Sequence, residues 1–209
     1  NVHKEVMMIK FNQEKIKIPE ATRKNWQDII DIMAELAGIP AGLIMRINDE
    51  NIEVFLASNS KNNPYEPGSA EPWRNSGLYC ETVINAQQPL LVKNALEDPK
   101  WRNNPDIKLN MISYLGFPID FPDQTPFGTL CILDNKPNGY SSTIHKMMEK
   151  FRDLVQSQLE LLVMNHIMGA ENSRLSDYLD ELQTLRGIIP ICAICKKVKN
   201  SEGYWNTVE

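Results

Sequence analysis

Five apolar residues at seven-residue intervals, Leu154, Leu161, Met168, Leu175 and Leu182, set the strongest limit on what this chain can fold into. A repeat of that period belongs to a long α-helix with one apolar seam. The spacing predicts a helix from Ser142 to about Arg186. With the five residues at heptad position d, position a holds Phe151, Gln158, Asn165, Asn172 and Leu179. A parallel two-stranded coiled coil tolerates Gln and Asn at a, because buried Asn pairs across the seam and fixes register at a cost in stability. Val155, Leu159 and Leu162 lie off the seam and are expected to cover the helix's own domain. Beyond Glu171 the expected cover is a partner helix, which makes the chain a homodimer through its carboxy-terminal helix.

Upstream, the periodicity changes. Trp26, Ile29, Ile30, Met33, Leu36 and Ala37 recur at helical spacing, and Gly38 and Pro40 stop the helix. Gly42–Ile47 reads as a buried strand. A second strand, across the turn Asn48–Asn51, alternates Ile52, Val54 and Leu56 with Glu53, Phe55 and Ala57, so the two make a hairpin. A long loop spans Asn59–Asn75. A short helix fits Leu78–Asn85, with Tyr79, Cys80, Val83 and Ile84 on its apolar side. Leu90–Val92 is a brief strand, Asp98–Asn110 is polar and irregular, and strands Ser113–Asp120 and Thr129–Asp134 close the domain. The expected fold class is α+β: an antiparallel sheet flanked by helices, then a long carboxy-terminal helix and a short Cys-x-x-Cys tail.

Composition narrows the function. The 209 residues carry a net charge of −5, which leaves no basic excess for neutralising phosphates and argues against nucleic acid. No run approaches the roughly 18 apolar residues of a membrane helix. The amino terminus has no signal-peptide pattern, and four cysteines are too few and too unevenly spaced for a secreted disulfide framework. A cytoplasmic protein with reduced thiols and no membrane contact is expected.

Three stretches resemble a GAF-domain subclass of bacterial sensor proteins, those associated with histidine kinases in two-component signalling. They are Ser76-Gly77-Leu78-Tyr79-Cys80-Glu81-Thr82-Val83, then Asp98–Asp106 followed by Ser113–Pro118, and finally Phe127–Asp134. The resemblance covers roughly Pro19–Met164. It implies a six-stranded antiparallel sheet with a small-molecule cavity on one face, and a signal passed along the helix. The tail, Leu185–Lys199 with Gly203–Glu209, is similar to a terminal module that follows sensory domains and carries a second cysteine pair further downstream. That resemblance implies a truncated module here. The expected division is an amino-terminal segment 1–18, a GAF sensory domain 19–164, a signalling helix 165–187 and the Cys-x-x-Cys module 188–209.

Candidate ligand-binding residues are Tyr79, Cys80, Trp101 and Tyr114. Trp101 stands in an otherwise polar segment, so its bulk either plugs the core or lines a cavity with Tyr79 and Cys80. Cys192 and Cys195 are half of a zinc site, since zinc takes four ligands. The full-length protein would supply the rest, and without them the two remain plain thiols. Cys80 and Cys131 have no histidine beside them, which argues against a bilin. His3, His145 and His166 lie outside the expected sheet, which argues against haem. Glu81, Asp98, Asp106, Asp120 and Asp123 fall at turns and helix starts, where carboxylates cap backbone amides. No catalytic residues are assigned, and the chain is expected to be a sensor rather than an enzyme. A ligand-free dimerisation scaffold for the cysteine module is the alternative, and a small cysteine-dependent redox enzyme a weaker one.

Overall fold

Trp26, Ile29, Ile30, Met33 and Ala34 recur at the spacing of one helical face, and α1 (Glu20–Ala37) buries all five. Leu36, expected on that face, is exposed instead. Gly38 ends the helix in the left-handed conformation, where a residue without Cβ is unstrained. The computed structural model describes residues 16–186, 192, 194–199, 205 and 206. The expectations for His3, for residues 188–191 and for the side chains of Tyr204 and Trp205 lie outside the described residues.

Among the described residues eight strands follow in chain order: β1 (Ala41–Asn48), β2 (Asn51–Ala57), β3 (Ala70–Pro72), β4 (Leu90–Val92), β5 (Ser113–Asp120), β6 (Pro126–Asp134), β7 (Val198–Lys199) and β8 (Trp205–Asn206). The first six form one sheet in the order β3-β2-β1-β6-β5-β4, with every neighbouring pair antiparallel. Helix α2 (Tyr79–Ala86) precedes β4, a 3-10 turn spans Pro105–Leu109, and α3 runs from Ser142 to Arg186. This is the expected α+β arrangement. The loop read over Asn59–Asn75 differs, because Ala70–Pro72 pairs with Asn51–Glu53 as an edge strand. Three exposed residues carry no apolar alternation, so the strand left no periodic signal.

The sheet has two apolar faces. One carries Trp26, Ile30 and Met33 of α1 and Val155, Leu159 and Val163 of α3, all buried. The off-seam residues Val155 and Leu159 therefore cover their own domain, as their spacing implied. Two bulges shape this side. Between Ile44 and Met45 the partner residue jumps from Leu56 to Val54, which leaves Phe55 extra. Between Ile119 and Asp120 the partner jumps from Gly128 to Pro126, which leaves Phe127 extra. An extra residue breaks the two-residue alternation of a strand. Both extra residues turn toward the helices, and beyond Phe55 the simple alternation read for β2 breaks, since Ala57 joins Ile52 and Val54 on the other face. Trp26 meets Phe55 at 6.1 Å and Phe127 at 6.0 Å between centroids, both edge-on. Its indole N–H donates to Gln158 Oε1 at 2.6 Å.

The described residues divide into two compact units, with the break between Val163 and Met164. In the second unit, the part of α3 from Met164 onward exposes Met168 (57%), Leu175 (51%), Leu179 (59%) and Leu182 (55%), with Asn165 and Asn172 also exposed. Near Cys192, the strands β7 and β8 pair as a two-stranded ladder. No helix among the described residues is long and apolar enough to cross a membrane.

Gln158 is where the heptad reading meets a correction, since a position-a residue faces a partner helix and this one faces Trp26. Replacing a seam Gln by Leu would strengthen a coiled coil. Here Gln158→Leu leaves a buried indole N–H without its acceptor, at a cost of about 1–3 kcal/mol. We expect urea unfolding to show the domain destabilised by that amount, with no gain in self-association.

Candidate ligand face of the sheet

The face away from α1 and α3 is built by the strand period. Ala41, Leu43 and Met45 of β1, Cys131 and Leu133 of β6, and Tyr114 of β5 point to it and are buried. Opposite them lie Tyr79, Cys80, Val83 and Ile84, the apolar side of α2. Trp73, Leu78, Trp101 and Met111 complete the same cluster from the connecting segments. Asn104 holds two of these segments together. Its Nδ2 donates to the Gly77 carbonyl at 2.7 Å, and its Oδ1 caps the backbone N–H of Asp106 at 2.9 Å. A polar, irregular stretch is thereby fixed over the sheet with Trp101 turned inward.

The four residues expected at a ligand site come together. Tyr79 stacks on Tyr114 with centroids 4.9 Å apart and meets Trp101 at 5.2 Å. Cys80 Sγ lies 3.5 Å from Tyr114 Oη. The Tyr114 ring lies flat along its own strand because Gly116, two residues on, has no side chain. A Cβ at Gly116 would fall 2.0 Å from Tyr114 Oη. Tyr79 and Tyr114 have no exposed surface (0% each). A surface cleft of about 640 Å³ lies elsewhere, lined by Asp31, Glu35, Ile39, Asn59, Lys61 and Asp134 among others.

Four functional groups on this face were not anticipated as such. Asp106 was read as a cap, yet it is buried (8% exposed) and its Oδ1 accepts the Tyr65 hydroxyl proton at 2.8 Å. Burial pushes its carboxyl up to about 6, against the opposing pull of the Tyr65 hydrogen bond. Burial likewise raises the Tyr65 phenol, with the Asp106 charge adding to it. Trp73 contributes a buried indole N–H with no hydrogen-bond acceptor among the described residues. Thr129 Oγ1 stands 3.2 Å from Cys80 Sγ and 4.0 Å from Cys131 Sγ. The sequence carried little signal for any of these, because each depends on which segment folds over the sheet. Three of the other four carboxylates cap backbone amides as expected: Glu81 accepts from Asn75 and Gly77, Asp98 from Lys100 and Asp123 from Thr125. Asp120 does not, since its Oδ1 is buried without a hydrogen-bond partner among the described residues.

Cys192 and Cys195, in the second unit, are both free thiols. The Cys195 backbone N–H points at Cys192 Sγ at 3.5 Å, the Cys192 N–H donates to Lys197 O at 2.9 Å, and Lys196 N–H donates to Cys192 O at 2.9 Å. Lys196 takes positive φ (57°) to close this tight turn. Hydrogen bonds from Cys195 and Ile194 hold the Cys192 thiol below its ordinary range. Such a turn suits a metal thiolate. Among the described residues, no group of three or more His, Cys, Asp or Glu side chains is placed to hold a metal ion.

Residues 26–155, more than half of the chain, match the model of the GAF domain, and the chain belongs to that family. No curated protein matches this sequence. The fold is similar to the blue-light absorbing form of the PixJ GAF domain of Thermosynechococcus elongatus (TM-score 0.57, 14% identity, 77% of this chain and 98% of that one). It is similar too to residues 122 to 287 of a methyl-accepting chemotaxis protein (TM-score 0.57, 13% identity, 78% and 98%). A third is the type II free methionine-R-sulfoxide reductase of Thermoplasma acidophilum (TM-score 0.52, 15% identity, 68% and 95%). At these identities the likeness is one of fold alone, and the fold hosts sensors and an enzyme alike.

Asp106 gives this face a pH dependence whose sign is fixed. Its folded pKa lies above the value near 4 of an exposed carboxyl. The folded state therefore holds the proton more tightly. The stability so gained is full below about pH 4 and is lost as pH rises through about 6. In Asp106→Asn, which still accepts from Tyr65, this loss should vanish. We expect wild-type stability to fall relative to the variant by about 2 kcal/mol between pH 4.5 and pH 7.5. Parallel unfolding curves for the two proteins would rule the effect out.

Proposed function

We propose that this chain is the sensory domain of a bacterial signal-transduction protein, of the subclass associated with histidine kinases. It takes a small molecule on the aromatic–thiol face and passes the state along a dimeric helix. The unpartnered Trp73 indole carries this reading. A buried donor without an acceptor costs about 1–3 kcal/mol, and a ligand supplying an acceptor removes that cost. The carboxyl of Asp106, raised by burial on the same side of the sheet, gains in the same way from a ligand that brings a hydrogen-bond donor or a cation. A ligand shifts a two-state helix pair only through its different affinities for the two arrangements. In this reading the protein works in the cytoplasm and catalyses nothing itself.

Support for the dimer comes from the helix. Leu161, Met168, Leu175 and Leu182 are each more than half exposed at strict seven-residue spacing. A second copy offers the matching seam, and Asn165 and Asn172 pair across it in register. Cys192 and Cys195 supply two of the four ligands of a structural zinc ion. One observation favours a second reading, a ligand-free GAF scaffold that holds the cysteine modules together. Tyr79 and Tyr114 fill their side of the sheet with no exposed surface.

Native mass spectrometry of the purified protein separates these readings. We expect a dimer that retains a discrete small molecule, lost on denaturation. Leu175→Glu should convert it to a monomer without unfolding the domain. A dimer that retains nothing after expression in rich medium supports the scaffold. A monomer at tens of micromolar, where a modest coiled coil associates, overturns the dimeric helix in both.

A further inference from the structure

The two thiols on the sheet face share one neighbour, the Thr129 hydroxyl. Thr129 and Cys131 are two residues apart on β6, so their side chains share one face. Cys80, in the first turn of α2, comes down on the same spot. The Thr129 hydroxyl touches both sulfurs, at 3.2 Å and 4.0 Å. Directly across the ladder from Cys131 is Gly116, which contributes no side chain, and the Tyr114 ring lying over it brings its hydroxyl to 3.5 Å from Cys80 Sγ. Both thiols are free. They differ in access, Cys80 being 8% exposed and Cys131 fully buried (0%).

We propose that Cys80 and Cys131 form a modification site, a dithiol that a hydroperoxide converts into an intramolecular disulfide tying α2 to β6. Cys80 is the attacking thiol, because the surface reaches it first. The hydrogen bond it shares with Cys131 lowers its pKa against the effect of burial, and Thr129 and Tyr114 lower it further. Burial raises the Cys131 thiol, which keeps its proton until its partner is oxidised. In the first step the Cys80 thiolate attacks one peroxide oxygen and the O–O bond breaks. The leaving alkoxide takes the thiol proton as alcohol, and Cys80 becomes a sulfenic acid. In the second step the Cys131 sulfur attacks the Cys80 sulfur and the S–O bond breaks. The hydroxide leaves as water with the Cys131 proton. Two thiols have then lost two electrons and two protons to one hydroperoxide.

The disulfide brings the sulfurs to about 2.05 Å. Cys80 then gives up its contacts with Thr129 and Tyr114, and α2 is drawn against the sheet at the point where Tyr79 stacks on Tyr114. The site works whether or not the face takes a ligand, so its failure and that of the sensory reading are separable.

Hydrogen peroxide is the probe, applied to the folded chain carrying Cys192→Ser and Cys195→Ser so that the exposed thiols take no part. Denaturing alkylation, proteolysis and mass spectrometry without reduction follow. We expect the Cys80 and Cys131 peptides to appear joined, with loss of both alkylatable thiols and their full return after dithiothreitol. The near-ultraviolet circular dichroism of the tyrosine stack should change in step. The exposed Met164, which lies off the helix seam, reports that oxidant was delivered. The proposal fails if Met164 becomes a sulfoxide while both cysteines stay free, or if Cys80 advances to a sulfinic acid without a link. Because the thiols tested are the native ones, the outcome does not depend on whether Cys131→Ser folds.

Discussion

One indole holds the helical side of this domain together. Trp26 is fully buried on α1, edge-on to Phe55 of β2 and Phe127 of β6, with its N–H bonded to Gln158 of α3. Four elements distant in sequence meet there. Edge-to-face rings contribute about 0.5–1.5 kcal/mol per pair beyond their buried area, and the hydrogen bond settles the one polar atom the indole would otherwise bury unpaired. Phe55 and Phe127 are each the extra residue of a bulge, and for Phe127 the bulge reverses the face that alternation with Cys131 and Leu133 would give it. Sheet irregularity and helix packing are therefore one feature here.

With the helical layer closed in this way, the opposite face is free to carry polar atoms that a dry core would not select. Asp106, Tyr65, Thr129, two thiols and the Trp73 N–H all lie there. Each costs stability unless it finds a partner. Most do, through Tyr65–Asp106 and through the Thr129 hydroxyl, and Trp73 does not. A domain selected for stability alone would fill this side with aliphatic residues.

Much of this was legible in the sequence. The helix ending at Gly38, strand β5 with its stated limits, and the long helix Ser142–Arg186 follow from periodicity and stop signals that act locally. Tyr79, Cys80, Trp101 and Tyr114 were grouped from bulk and motif, and they do pack together. Ala57 departs from the reading because strict alternation has no term for an extra residue: it shares the face of Ile52 and Val54, with which it was expected to alternate. Gln158 was misassigned because a heptad cannot say which neighbour a polar side chain meets. Asp106 looked like a cap by position, whereas its true cap is Asn104 and its carboxylate turns inward to Tyr65. All three misreadings concern long-range contacts, which no window of residues contains.

The bulge at Phe127 also bears on how this gene can change in length. In a strand of period two, adding or removing one codon exchanges the faces for every residue beyond it. Just after Gly128 such a change would carry Thr129 and Cys131 into the helical layer and leave Leu130 and Ile132 facing Cys80. In the hairpin between Phe121 and Gln124 the added residue would meet only solvent-side turn, with the bulge still to reset the phase. Natural length variation should therefore gather in that hairpin and spare the strand that follows it.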